Sequence, residues 1–191
     1  MAAPEPLTRA ERSTCLVLAR ASLERWLRHG ERASEHDLGV PPSGTFREPR
    51  GVFVTLHKAG ELRGCIGRIE AERPLWEALR DAAISAAVRD PRFDPVTREE
   101  LGELRISVSV LTPTWAVDGP DGIEIGRHGV ILSVRGTRSV FLPQVAEEMG
   151  WDAPTTLSAL ARKAGLPTHA WRDADAQFFV FEAEKAVEPR P

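Results

Sequence analysis

One cysteine stands between an arginine and two glycines at Leu62-Arg63-Gly64-Cys65-Ile66-Gly67. A thiolate is a nucleophile and a redox centre, and a nearby guanidinium or imidazole favours its formation. Arg63, His57 and His128 are the cations the sequence offers for that task. Two readings of Cys65 follow: a reactive thiol, or a cysteine that fills space, as this residue type often does. Cys15 shares a helical stripe with Ala19, Leu23 and Trp26 and is expected in the core.

Three cations are candidates for holding an anionic substrate. Arg63 and Arg92 carry forked donors suited to carboxylate or phosphate, and Lys163 carries a point charge. The alternative for the arginines is structural pairing with a carboxylate such as Glu70 or Asp90. An Asp-Pro-Arg-Phe loop at residues 90–93 commonly locks itself that way. His128 lies between Gly126 and Gly129, where an imidazole serves proton transfer or simply decorates a turn. The five histidines show no close metal-ligand spacing and there is no C-x-x-C, so no metal site is predicted. A phosphate loop, a dinucleotide glycine fingerprint and a G-x-S-x-G elbow are also missing, and no cofactor is named.

The elements that must position these residues begin with a hairpin, Gly51–His57 and Glu61–Ile69, joined at Lys58-Ala59-Gly60. A two-residue turn needs positive φ at both positions, which Ala59 resists, so a three-residue loop with Gly60 in the left-handed position is expected. That register sets Thr55 against Arg63, Phe53 against Cys65 and His57 against Glu61. One face then gathers Val52, Val54, Leu56, Leu62 and Ile66; the other shows Thr55, His57, Arg63 and Cys65. Gly64 and Gly67 leave backbone uncovered beside them, which often marks the close approach of a ligand or another backbone.

Around the hairpin the pattern predicts a helix capped by Thr8 and Glu11 and stopped at Gly30. Residues 31–50, without hydrophobic period and broken by Pro41 and Pro42, are expected as an irregular, mobile excursion. A helix over 74–89, a short one starting at Thr97 and an alternating strand at Leu104–Leu111 come next. Short strands are expected at 114–117, 123–125, 130–134, 139–142 and 177–184, with helices at 143–149 and 154–164. Residues 1–7 and 185–191 are expected as flexible ends around one domain, 8–184. Tight turns without strict βαβ alternation suggest an α+β fold with a mainly antiparallel sheet flanked by helices.

Composition limits the partners. With 25 Lys and Arg against 28 Asp and Glu the net charge is −3, which opposes sequence-independent nucleic-acid binding unless a local basic patch exists. Trp115, Trp151 and Trp171 are therefore expected to pack between lobes rather than stack on bases. No apolar run approaches the roughly 20 residues of a membrane span, and residues 1–6 do not read as a secretory signal. Two distant cysteines form no disulfide framework, so a reducing cytoplasmic location is expected.

The hexapeptide Leu62–Gly67 resembles the signature of the AMMECR-type domain, called AmmeMemoRadiSam system protein A in bacteria. Phe53-Val54-Thr55, Asp90-Pro91-Arg92-Phe93 with Leu101, and Ser107-Val108-Ser109-Val110-Leu111 resemble that family's neighbouring blocks. So do His128-Gly129, Phe141-Leu142-Pro143-Gln144-Val145 and Lys163-Ala164-Gly165-Leu166. The resemblance spans roughly residues 10–184, and Asp94 departs from it where a second proline is commoner, which would loosen that loop. It implies an α+β fold with a larger sheet lobe, a smaller lobe and a cleft between. It also implies company, a Memo-like protein and a radical SAM protein, but no agreed reaction.

Two classes of function are therefore carried. The first is an enzyme or enzyme component with a small-molecule cleft, in which Cys65, Arg63 and His128 are catalytic. Thr55, Gly64, Gly67 and Lys163 bind substrate in that reading. The second is an adaptor that presents the same surface to the Memo-like and radical SAM proteins.

Overall fold

Thr8 accepts from the Glu11 backbone while the Glu11 side chain accepts from Thr8 N–H, and this capping box starts helix α1 (Arg9–His29). Gly30, at φ +71°, ends it. The computed structural model describes residues 6–41 and 44–189. After α1 come α2 (Glu35–Leu38), β1 (Val52–Lys58), β2 (Glu61–Arg68), α3 (Leu75–Val88) and β3 (Leu104–Leu111). Then follow β4 (Trp115–Val117), β5 (Gly129–Val134), β6 (Thr137–Phe141), α4 (Pro143–Glu148), α5 (Ala153–Lys163), β7 (Gln177–Phe181) and β8 (Ala183–Val187). The expected α+β class with antiparallel sheets is what the chain adopts.

The chain divides into two units, one of the described residues through Leu111 with Glu184 onward, the other Thr112–Ala183. In the first unit a four-stranded sheet runs in the order β2-β1-β3-β8. Val54, Leu56, Ile106 and Val108 turn one of its faces toward Leu18, Leu23, Leu79 and Ala83 of α1 and α3, and all eight are buried. Alternation in β1 and β3 is what produces that face, since successive side chains in a strand point to opposite sides. In the second unit the sheet order is β4-β7-β5-β6. Its core sets Val130, Leu132 and Val180 against Leu157 and Leu160 of α5.

The hairpin differs from expectation in its turn. Ala59 does adopt positive φ, +51°, followed by Gly60 at +89°, so the loop has two residues and Lys58 pairs with Glu61. His57 consequently faces Leu62, not Glu61, and a bulge then leaves Arg63 without a partner on β1. Beyond the bulge Leu56 faces Gly64, Thr55 faces Cys65 and Phe53 faces Gly67. Leu62, expected on the apolar face, is 37% exposed.

Four other expectations are corrected. Residues 123–125 are not a strand but lead into the turn that carries His128. The last strand is two: β7 belongs to the second sheet, and β8 pairs in the first, after a break at Glu182. The excursion over 31–50 is tied down in its described part: Ser34 caps α2, Arg47 pairs with Glu35, and Ala33 and Phe46 are buried. The ends are anchored too, because Leu7 N–H donates to Glu184 and Arg20 pairs with Glu188. Residues 1–5 and 190–191 lie outside the described residues.

Candidate functional site

Cys65 lies on the sheet face turned away from α3, directly opposite Thr55 on β1, and Thr55 lies opposite Ser107 on β3. Thr55 Oγ1 and Cys65 Sγ are 3.1 Å apart, one donating to the other. Cys65 is half-buried, so its thiol is neither sealed in the core nor free in solvent.

Its backbone is held from a distant loop. Cys65 N–H donates to Asp90 Oδ2 at 2.8 Å. The same carboxylate accepts from Arg92 Nη2 at 2.7 Å, Arg92 Nε at 2.9 Å and Arg92 N–H at 3.1 Å. Asp90 is almost wholly buried, and the Arg92 guanidinium, helped by the two backbone donors, holds its carboxyl well below the usual carboxylate range. Arg92 itself stays half-exposed beside the Phe93 ring. The Asp-Pro-Arg-Phe loop thus locks itself through its own ion pair, and Oδ2 of that pair also grips the strand that carries the thiol.

Arg63 is engaged elsewhere. Its Nε and Nη2 form a bidentate pair with Glu100, each at 3.0 Å, and Nη1 donates to the Asp94 carbonyl at 2.8 Å. Lys58 joins the same carboxylate at 3.2 Å. The Arg63 guanidinium, with Lys58 and the Thr97 N–H, lowers the Glu100 carboxyl to about 2. Asp94, the position that departs from the family pattern, is therefore pinned through its carbonyl. Neither Glu70 nor Asp90 is the partner of Arg63.

The two glycines of the hexapeptide have packing tasks. A Cβ on Gly64 would stand 2.0 Å from the Ala86 carbonyl oxygen, so α3 presses directly on β2 there. A Cβ on Gly67 would meet the Val52 carbonyl at 2.2 Å and the Phe53 ring at 2.4 Å. Both are close approaches of protein to protein.

His128 and Lys163 belong to the Thr112–Ala183 unit. His128 is buried, accepts from the Glu124 N–H at Nδ1 (3.0 Å) and meets Trp115 edge-on at 5.4 Å. Burial lowers its pKa below the ordinary histidine value. Lys163 donates to the Val140 carbonyl at 2.8 Å and lies over the Phe141 ring. Trp151 stacks obliquely on Phe141, and Trp171 donates to Ser158 at 3.0 Å, contacts inside that unit.

The first unit therefore brings together Thr55, Cys65, Asp90 and Arg92, with Arg63, Lys58 and Glu100 as a second cluster. Sequence reasoning anticipates the pairing of Asp90 within its loop but misses its grip on Cys65, and it misses Glu100 as the partner of Arg63. The Asp-Pro-Arg-Phe block and the Thr97–Glu100 capping spacing were their only signals. Among the described residues, no group of three or more His, Cys, Asp and Glu converges as metal ligands would. No helix there is long and apolar enough to cross a membrane.

Comparison with known proteins places this geometry in a family. The AMMECR1 family model matches residues 16–186. A protein of Methanothermobacter thermautotrophicus is 44% identical over 185 residues, covering 94% of this chain and 95% of its own. Protein MK0488 of Methanopyrus kandleri is 46% identical over 197 residues, covering 98% and 93%. The crystal structure of the uncharacterized protein PH0010 from Pyrococcus horikoshii superposes with a TM-score of 0.78 at 39% identity, over 95% of this chain and 93% of that one. With the match extending over nearly all of both units, the chain belongs to the AMMECR1 family.

Proposed function

We propose that this protein is an enzyme, or a component of one, that handles a small molecule with Cys65 as its reactive thiol. The observation that carries the reading is the clamp on Cys65. Its side chain meets Thr55 Oγ1 at 3.1 Å while its N–H is fixed by the buried Asp90 carboxylate, itself paired with Arg92. A space-filling cysteine needs no polar partner; a nucleophile needs a fixed position and gains from a hydroxyl that can donate to its thiolate. Thr55 supplies the hydroxyl, and the half-exposed Arg92 guanidinium of the same loop can meet an anionic substrate. A reducing cytoplasmic setting suits both free cysteines.

An adaptor role remains the competing reading, with a Memo-like or radical SAM protein as partner. The observation favouring it is that β2 is an edge strand carrying exposed Leu62, a surface to which another chain can add.

An acyl probe separates the two. The Cys65 thiolate attacks the carbonyl of p-nitrophenyl acetate, p-nitrophenolate leaves with the electron pair, and a thioester remains on Sγ. A burst of p-nitrophenolate with the acetyl group mapped to Cys65, lost in Cys65→Ser and kept in Cys15→Ser, supports the thiol reading. No adduct at Cys65, together with a partner protein that binds Cys65→Ser as well as the wild type, overturns it.

A further inference from the structure

On the α3 side of the first sheet, away from Cys65, a cavity of about 290 Å³ opens between α3 and the β1–β2 hairpin. That is close to the lower limit, roughly 300 Å³, of pockets that hold small ligands. Its wall carries five arginines, Arg32, Arg50, Arg68, Arg73 and Arg89. The acids on the same wall are Glu70, Glu72 and Asp81. The wall thus carries five cations against three anions, with Glu48 beside Arg50 and Glu77 beside Arg73 just outside it, in a chain whose net charge is −3.

Four of the five arginines have a carboxylate partner, Arg68 with Glu72 at 3.4 Å among them, but two of the four share Asp81. Asp81 is shared by three guanidinium groups, Arg80 at 2.9 Å, Arg73 at 3.1 Å and Arg32 at 3.6 Å. Arg50 has only 11% of its side chain exposed, yet its acid partner Glu48, 2.8 Å away, is 56% exposed. Among the described residues no carboxylate pairs with Arg89, which sits just past the last turn of α3. The helix C-terminus favours a cation there and so holds it in place. Opposite these charges Val52, Ile66, Ala78 and Ala82 give the cavity an apolar wall.

We propose that this cavity binds a small organic phosphate whose phosphoryl group meets the arginines and whose short apolar body rests on Val52, Ile66, Ala78 and Ala82. A phosphate monoester carries about −1.5 to −2 charges at neutral pH and so suits a wall of five guanidinium groups of which Arg89, among the described residues, has no carboxylate partner. Its three oxygens accept from several forked donors at once. Extended nucleic acid does not suit the site, because the rest of the chain opposes a long line of phosphates. The inference goes beyond the Cys65 reading and is independent of it, since Cys65 does not line this cavity.

Phenyl phosphate is the probe, followed by titration calorimetry and by amide NMR. Saturable binding is expected, tighter than for inorganic phosphate or phenol alone, with the shifted amides at Ile66, Gly67, Ala82 and Ser85. Affinity should fall at least tenfold in Arg89→Gln, an exposed position where folding is safe, and in Arg50→Gln once its melting curve shows a folded protein. Cys65→Ser should bind unchanged, which keeps this test separate from that of the thiol. No saturable binding, shifts mapped elsewhere, or an affinity indifferent to Arg89→Gln would overturn the proposal.

Discussion

Thr55 Oγ1 and Cys65 Sγ meet at 3.1 Å across a directly paired position of β1 and β2. Two local irregularities produce that pairing. The tight turn at Ala59-Gly60 moves β2 by one position relative to a three-residue loop, and the bulge at Arg63 moves it by one more. Either alone would set Cys65 against Val54, on the wrong face. Arg63 occupies the bulge and ties it to Glu100.

The turn stores strain that a substitution can release. Ala59 at φ +51° sits in a region that asparagine and glycine occupy at lower cost. Ala59→Asn should stabilise the protein by about 0.5–1 kcal/mol. Denaturant unfolding at constant slope measures it; a loss of stability would show that the turn is not of this type.

Gly64 should tolerate no side chain. A Cβ 2.0 Å from the Ala86 carbonyl meets backbone, which cannot swing aside. Gly64→Ala should cost at least about 1–3 kcal/mol. Gly102, where a Cβ has nothing within 4 Å, is the control and should change little. Equal effects at the two positions would contradict the packing of α3 on β2.

Acid should weaken the Arg63 cluster in a defined window. Glu100 has a folded-state pKa near 2 against an ordinary 4.5, chiefly because Arg63 donates to it. A depressed carboxylate contributes stability above its unfolded pKa and loses it as pH falls through the folded one. Glu100→Gln should therefore be less stable than the wild type at neutral pH, by about 1–3 kcal/mol. The gap should close as pH falls from 4.5 toward 2. Thermal melts of both proteins across that range test it; a gap constant with pH would show the pair to be inert.

Much of this was legible in the sequence, for identifiable reasons. Capping boxes at Thr8 and Thr97, and clean alternation in β3, are local signals, and local structure follows them. Cys65 was expected on the polar face and lies there although its register was misjudged. The two irregularities shift β2 by two positions in all, and a shift of two preserves the face. Leu62 lies before the bulge, feels only the turn, and so changed face. The Asp90 grip on Cys65 and the Glu100 grip on Arg63 join residues 25 and 37 positions apart, which no short spacing encodes. The split of the last strand at Glu182 was hidden because both halves read as one extended run.

Native alkylation tests the central claim, that Cys65 is the functional thiol and Cys15 a structural one. Cys15 has no exposed surface, and burial pushes its thiol up to about 12. Cys65 is half-buried beside a hydroxyl. Iodoacetamide added to the folded protein, with both peptides followed by mass spectrometry over time, should label Cys65 while Cys15 stays unmodified until denaturant is added. Labelling of Cys15 first, or silence of both thiols until unfolding, would contradict the account.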